Sequence, residues 1–270
     1  MRVLRQIREL FNAAPAPDGP RIAVFGDSHT AALLRAAEPP QRQHHYEHIR
    51  VVRLRKEKDG KIVGHSDLAS FCREIRHFGQ SDFVFSAVGG NQYAVLSTVQ
   101  EPIDYDFLTS AADEDLASDS AQLVPMRAIA GYIEAGVRGT IGPVLRELRE
   151  ATRAQVYHLA PPPPKEDNEF IARHFESRFV QDGIHELGPT RPQLRLKCWR
   201  LQLDCLERLC GELGVGLIQP PGKSVTPEGY LKPHYYAKDV THGNRRYGEM
   251  VLKQILKITQ TAHKAEDRVP

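Results

Sequence analysis

Five short apolar segments, separated by stretches with helical spacing, most constrain how this chain can fold. The segments are short enough for strands, and the third does not alternate with polar residues, which is typical of a strand buried on both faces. Strands that alternate with helices predict a parallel sheet covered by helices on both sides. The apolar segments are residues 21–25, 49–54, 82–88, 155–160 and 215–218, and the helical ones are 30–37, 66–77, 144–151, 166–180, 192–213 and the stretch after Asn244.

The charge balance and the chain start exclude several classes of protein. Lys plus Arg number 36 and Asp plus Glu number 34 among 270 residues. So small an excess argues against a dedicated nucleic-acid binder. No window approaches the roughly 20 apolar residues of a membrane span. Arginines interrupt the first eleven residues, so these do not form a secretion signal, and the four cysteines form no CxxC pair. We therefore expect a cytoplasmic protein with buried thiols, no nucleic-acid partner and no transmembrane segment.

The chain divides by composition into three parts. Residues 1–20 are predicted to form an amphipathic helix and a Pro-rich linker, residues 21–262 the main domain, and residues 263–270 a tail. Residues 92–140 are predicted to form a lid-like insertion in that domain. The insertion carries seven acidic residues from Glu101 to Asp119 and no basic residue before Met126. It is either an exposed, solvated loop or a lid that disfavours anionic substrates.

Three polar clusters fall at predicted strand ends or before the last helix. They are Gly26-Asp27-Ser28-His29, Gly89-Gly90-Asn91 and Asp239-Val240-Thr241-His242. Ligands of parallel α/β sheets bind beyond the carboxyl ends of the strands. A serine, an amide and an Asp/His pair are the groups that acyl transfer requires, as nucleophile, oxyanion donor and general base with its orienting carboxylate.

These clusters resemble the motif blocks of the SGNH hydrolases, also called the GDSL esterase/lipase family, and the resemblance spans about residues 21–262. The order also matches: serine near the start, amide after the third strand, and Asp and His near the end. This sequence has His29 where leucine is usual and Gln92 where aspartate commonly follows the asparagine. The second-block glycine is assigned to Gly64, with Gly60 as the competitor. The resemblance implies a three-layer α/β/α sandwich of about five parallel strands in flavodoxin-like order.

The resemblance further implies a serine esterase or deacylase that acts on a small-molecule or glycan ester without metal or cofactor. Ser28 would attack the carbonyl and form an acyl-enzyme, His242 would act as general base, and Asp239 would orient it. The oxyanion would bind to the Ser28 N–H, the Gly64 N–H and Asn91 Nδ2. The same triad would serve an acyltransferase, and a non-catalytic binding protein could retain the fold.

Each of these residues also has a purely structural interpretation. Ser28 could cap the first helix, and Asn91 could occupy a left-handed turn. Asp239 could cap the last helix, with His242 on the surface. His234 is the alternative general base.

Overall fold

The computed structural model describes residues 19–37, 46, 48–58, 60–109 and 121–266. The predicted N-terminal helix, most of the acidic stretch after Thr109 and the last four residues lie outside this described part of the chain. The strands within these described residues are β1 (Ile22–Gly26), β2 (Ile49–Arg53), β3 (Lys56–Lys58), β4 (Lys61–Val63), β5 (Phe83–Ala87), β6 (Tyr105–Asp106), β7 (Gln122–Leu123), β8 (Gln155–Leu159) and β9 (Gly216–Ile218).

The described helices vary widely in length. They are α1 (Thr30–Ala37), α2 (Leu68–Ile75), α3 (Gln92–Ser97), α4 (Met126–Ala151), α5 (Asn168–Arg173), α6 (Ser177–Gln181), α7 (Ile184–Leu187), α8 (Pro192–Glu212) and α9 (Arg245–Glu266). Two short 3-10 turns, Gly222–Ser224 and Pro233–Tyr235, precede α9. Among the described residues, no helix combines the length and the apolar character that a bilayer crossing needs.

The central sheet has five parallel strands in the order β2-β1-β5-β8-β9. Numbered among themselves along the chain, these strands run 2-1-3-4-5, which is the flavodoxin-like order predicted from the sequence. The order reverses between β1 and β5, and a crevice opens at such a point in doubly wound sheets. The two turns that carry Ser28 and Asn91 follow these two strands.

Helices cover both faces of the sheet, as the alternation of elements predicts. On one face, α2, α3, α4 and α8 bury apolar side chains against β1, β5 and β8. On the other face, α1 and α9 pack on the same strands through a second apolar cluster. Cys198, Cys205 and Cys210 are free thiols buried along α8, which agrees with the expectation that the cysteines are packing residues.

Residues 126–140 differ from the predicted lid-like insertion. They form the first half of α4, and Ile129, Ile133 and Val137 are buried in the larger core cluster. The sequence predicted only the end of this helix, from Val144, because Pro143 normally interrupts a helix. Pro143 lies on the exposed face, where water can satisfy the carbonyl that loses its partner, so the helix continues through it.

Two smaller boundaries also differ from the predictions. The helix predicted at 166–180 is divided into α5 and α6, with Asp167 capping α5 through a hydrogen bond from Phe170 N at 2.8 Å. The last helix, α9, extends to Glu266, so the main domain continues beyond residue 262.

Candidate active site

Ser28, His242 and Asp239 form one continuous hydrogen-bonded chain. Ser28 Oγ lies 2.8 Å from His242 Nε2, and His242 Nδ1 lies 3.0 Å from Asp239 Oδ2. A carboxylate only accepts, so Nδ1 carries the proton and Nε2 is free to accept the Ser28 hydroxyl proton. This is the tautomer that a serine nucleophile requires of its base. The structure thus brings the three residues together in the predicted order. Ser28 lies 211 positions before Asp239 in the chain, and Asp239 lies three positions before His242.

The three-residue spacing between Asp239 and His242 explains how one carboxylate holds both the loop and the ring. Asp239 Oδ1 accepts from the backbone N–H of His242 at 2.8 Å, while its Oδ2 accepts from the imidazole. Asp and Asn side chains commonly close such turns on their own backbone. The capping interpretation of Asp239 is therefore replaced by a turn that ends directly at the imidazole.

The turn after β1 fixes Ser28 between the sheet and α1. Thr30 Oγ1 donates to the carbonyl of Asp27 at 2.6 Å, and the side chain of Asp27 accepts from Gly89 N at 2.9 Å. Asp27 therefore ties the turn of the serine to the turn of Asn91. The Ser28 hydroxyl lies 2.8 Å from His242 Nε2, which is the contact that a nucleophile would need, and its role as nucleophile stays a prediction.

Asn91 lies at the start of α3 with φ −109° and ψ 13°, so it does not occupy the left-handed region. The positive φ angles of this turn belong to Gly89 and Gly90. The side chain of Asn91 makes no capping hydrogen bond to α3, and its Oδ1 lies 3.2 Å from His29 Nε2. The amide is thus directed towards the serine turn.

The two glycines considered for the second motif block, Gly64 and Gly60, differ in their surroundings, and neither makes a hydrogen bond to Ser28 among the contacts of the described residues. Gly64 has φ +98°, and a Cβ there would overlap the carbonyl of Leu54, whose own N–H donates to Gly26 at 2.6 Å. Gly60 has φ +71° in the β3–β4 turn with open space around it. Gly64 is therefore the glycine packed beside the serine turn, and its oxyanion role stays a prediction.

His234, the alternative base, is exposed and lies against Arg246, whose guanidinium nitrogen is 2.7 Å from His234 Nε2. The Ser28 hydroxyl is held by His242, which leaves His242 as the favoured base.

Lys165 is a buried residue that holds the loop and the side chain of Asp239. Lys165 Nζ donates to the Ala237 carbonyl at 2.6 Å, to the Asp239 carbonyl, and to Asp239 Oδ1 at 3.5 Å. Burial lowers the pKa of Lys165 to about 8, although the charge of Asp239 opposes the shift. The only signal in the sequence is the position of this lysine directly after the four prolines that follow β8.

A second buried cation holds the segment that carries Lys165. Arg195 of α8 is 1% exposed, and its guanidinium donates to the Lys165 carbonyl at 3.1 Å and to Asn168 Oδ1 at 2.6 Å. The core helix α8 therefore fixes the backbone of Lys165, and Lys165 fixes the loop of Asp239. No spacing pattern marks Arg195, because its contacts with the Lys165 segment join residues 27 to 30 positions apart.

The charge state of Asp239 follows from these neighbours. Burial by itself would raise the pKa of this carboxyl group. The hydrogen bonds and charge of His242, together with the charge of Lys165, outweigh that effect and lower the pKa to about 2. Asp239 is therefore a carboxylate throughout the neutral range, as an orienting group for imidazole must be.

Glu176 adds a second carboxylate beside His242. Its Oε1 lies 4.0 Å from His242 Nδ1, and its Oε2 accepts from Val240 N at 3.3 Å. Ligand atoms of Glu176, Asp239 and His242 lie within 4.8 Å of one another and could hold a metal ion. The imidazole nitrogen in reach is the one that already donates to Asp239, so a cation here would compete with the triad.

A small apolar cavity adjoins the residues that follow Ser28 and His242 in the chain. It has a volume of about 30 Å³ and is lined by His29, Ala87, Pro161, Gly243 and Tyr247 among others. A space of this size accepts one or two groups as large as water or methyl.

Comparisons with known proteins give structural neighbours only. No family model matches the sequence, and no curated protein matches it. A GDSL-like lipase from Bacteroides thetaiotaomicron is similar over 96% of this chain and 97% of its own, with 15% identity and a TM-score of 0.46. A phospholipase A1 from Streptomyces albidoflavus is similar over 88% of this chain and 99% of its own, with 11% identity and a TM-score of 0.46. A carbohydrate acetylesterase family member from Sinorhizobium meliloti is similar over 88% of this chain and 98% of its own, with 10% identity and a TM-score of 0.42.

These neighbours have names from the class of enzymes that the motif blocks resemble. At these identities and scores the likenesses carry no information about which residues of this chain react.

Proposed function

We propose that the protein is a serine esterase or deacylase of the SGNH hydrolase type. The observation that carries the proposal is the chain of hydrogen bonds from Ser28 Oγ through the His242 imidazole to Asp239. This geometry suits a hydroxyl that loses its proton as it attacks a carbonyl, because the base is already within hydrogen-bond distance. The motif order in the sequence supports the same assignment.

The reaction divides into two transfers through His242. Ser28 Oγ bonds to the ester carbonyl carbon while its proton passes to His242 Nε2. The bond to the alcohol oxygen then breaks as that proton moves to the departing oxygen, which leaves an ester on Ser28. A water molecule next attacks the acyl carbon and gives a proton to Nε2, which returns it to Ser28 Oγ as the acid is released. Asp239 stabilises the imidazolium in both halves.

The negative charge on the carbonyl oxygen would be stabilised by Asn91 Nδ2, the Ser28 N–H and the Gly64 N–H. Ser28 lies two residues before the start of α1, so the positive end of that helix dipole would also face the oxyanion. Donors fixed in advance at this point lower the barrier because they need not reorient when the charge forms.

The small cavity supports a short acyl group, such as acetyl, as the favoured acyl part of the substrate. A panel of chromogenic esters of increasing chain length measures this preference. We expect kcat/KM to fall as the acyl chain grows beyond the cavity. Val251→Ala, which removes two methyl groups from the cavity wall, should shift the preference towards longer chains.

A fluorophosphonate probe tests the nucleophile directly, because covalent labelling requires an activated serine. We expect the wild-type protein to be labelled and to hydrolyse chromogenic esters, and Ser28→Ala to lose both while it remains folded. Ser81→Ala is the matched control, since Ser81 is an exposed serine just before β5, at the other end of the sheet. Labelling and turnover of Ser28→Ala at the wild-type level would contradict the proposal. Alcohol acceptors added to the same assay distinguish hydrolysis from acyl transfer.

A further inference from the structure

His29, the residue after the nucleophile, contacts two other groups of the site. Its Nε2 lies 3.2 Å from Asn91 Oδ1. Its ring lies beside the His242 ring, with centroids 4.7 Å apart and planes tilted by 48°. The ring is also confined from the side of Gly90, where a Cβ would lie 3.0 Å from His29 Nε2 and 2.8 Å from Pro161 Cβ. His29 therefore has one preferred place, between the base and the amide.

The hydrogen bond between His29 and Asn91 has only one direction. An amide oxygen accepts and never donates, so His29 must carry a proton on Nε2. Burial, together with the positive charge that His242 can carry, lowers the pKa of His29 to about 4. At neutral pH the ring is thus neutral, and its proton is on Nε2. The oxygen of the Asn91 amide is engaged, so the Nδ2 group is directed away from His29.

We propose that His29 is a positioning residue that holds the Asn91 side chain with Nδ2 facing the oxyanion, through its Nε2–H bond to Asn91 Oδ1. The inference rests on the proposed function, because it assigns how the oxyanion donor of that same site is fixed. Without the bond, the amide could rotate and present its oxygen to the developing negative charge, which would repel it. An oxyanion donor is effective only if its orientation is fixed before the charge forms.

The alternative is that His29 only fills space, since it also lines the small apolar cavity. A packing role and a positioning role differ in what they require of Asn91. If His29 only packs, its substitution should lower kcat whether or not residue 91 has an amide. If His29 positions the amide, its substitution should not change kcat once the amide is removed. A double-mutant cycle separates the two.

The kinetic test uses His29→Leu, His29→Gln, Asn91→Ala and the double variant His29→Leu/Asn91→Ala. His29→Leu keeps apolar bulk but has no donor, and His29→Gln retains an N–H at the end of its side chain. We expect His29→Leu to lower kcat about 10- to 100-fold with little change in KM, and His29→Gln to recover much of the loss. In the Asn91→Ala background, His29→Leu should change kcat by less than about twofold.

Two kinetic results would overturn the inference. One is an unchanged kcat in His29→Leu, and the other is the same fractional loss with and without the Asn91 amide. Thermal unfolding of each variant separates lost folding from lost positioning.

A second measurement does not depend on turnover, so it separates this inference from the proposed function. Nitrogen-15 NMR of the histidine rings reports which nitrogen of His29 carries the proton at pH 7. We expect the Nε2–H form, and the Asn91 side-chain amide signals should move in His29→Leu. An Nδ1–H ring would refute the assignment even in an active enzyme. An Nε2–H ring in a protein without esterase activity would leave the contact intact and refute the proposed function instead.

Discussion

Lys165→Met should change how the stability of the protein depends on pH. The ordinary pKa of lysine is about 10.5, and burial lowers that of Lys165 to about 8 in the folded chain. Between these two values the unfolded chain holds a proton that the folded chain has lost. Raising the pH through this range therefore favours the folded state, because stability rises with pH wherever the unfolded state binds more protons.

The magnitude follows from the size of the pKa change. Each unit of difference between the folded and unfolded pKa changes the free energy of unfolding by about 1.4 kcal/mol. The full difference for Lys165 therefore corresponds to about 3 kcal/mol. Lys165 is 1% exposed, so this value needs no reduction for screening by solvent. From pH 7 to pH 10 we expect wild type to gain about 2 to 3 kcal/mol relative to Lys165→Met, in which residue 165 cannot titrate.

Urea unfolding at pH 7, 8, 9 and 10 measures the difference in unfolding free energy between the two proteins, and groups that titrate in both cancel. Lys238→Met is the matched control, because Lys238 is an exposed lysine in the loop that Lys165 holds. Lys238→Met leaves Lys165 in place, so its unfolding free energy should run parallel to that of wild type from pH 7 to pH 10. If the wild-type and Lys165→Met curves run parallel from pH 7 to pH 10, Lys165 is not a buried, destabilised cation.

The other predictions concern the reaction and one backbone position. Asn91→Ala should lower kcat by about 10²–10³ with a much smaller effect on KM, and a pure KM effect would make Asn91 a substrate-binding residue instead. In wild type kcat/KM should rise with pH, because the base must be neutral to accept a proton. His242→Gln should remove this dependence and lower the rate by several orders of magnitude, and a retained profile of full height would point to another base. Gly64→Ala should cost about 1–3 kcal/mol or more in urea unfolding, since both its positive φ and the Leu54 carbonyl oppose a side chain. Gly60→Ala, which has a positive φ but open space, should cost less, and equal losses would show that the Leu54 contact is unimportant.

The sheet was predictable because its strands are marked locally. Each of the five apolar segments ends at polar residues, glycine or proline, and short parallel strands separated by helices allow few topologies. The helix α4 was predicted only in part, because Pro143 suggests an interruption when the sequence is considered alone. Whether a proline interrupts a helix depends on which face it occupies, and that face is set by packing on α8.

The site was predictable to the extent that its residues belong to motif blocks. Ser28, Asp239 and His242 lie together as the motif order predicts, whereas the residues that hold them do not belong to any block. Arg195 and Glu176 act through contacts with residues 27 or more positions away, and no local pattern encodes such contacts. In the sequence His29 differs only in replacing the usual leucine, and its contact with Asn91 depends on how two turns approach each other across the sheet.

The acidic stretch after Asn91 shows why charge counted along the chain is a poor guide to the field at a site. Asp106 is 1% exposed and lies 3.3 Å from Arg191 and 3.2 Å from Lys197, and Asp104 also pairs with Arg191 at 3.3 Å. The cations come from α8 and the residue before it, about 85 residues later in the chain. Two of the seven acidic residues are thus neutralised within the fold, where they join the β6 segment to the core. A repulsive field on anionic substrates, if this region produces one, must come from Glu101 and the acidic residues after Thr109, so substitutions at these positions and not at Asp104 or Asp106 are the ones that test it.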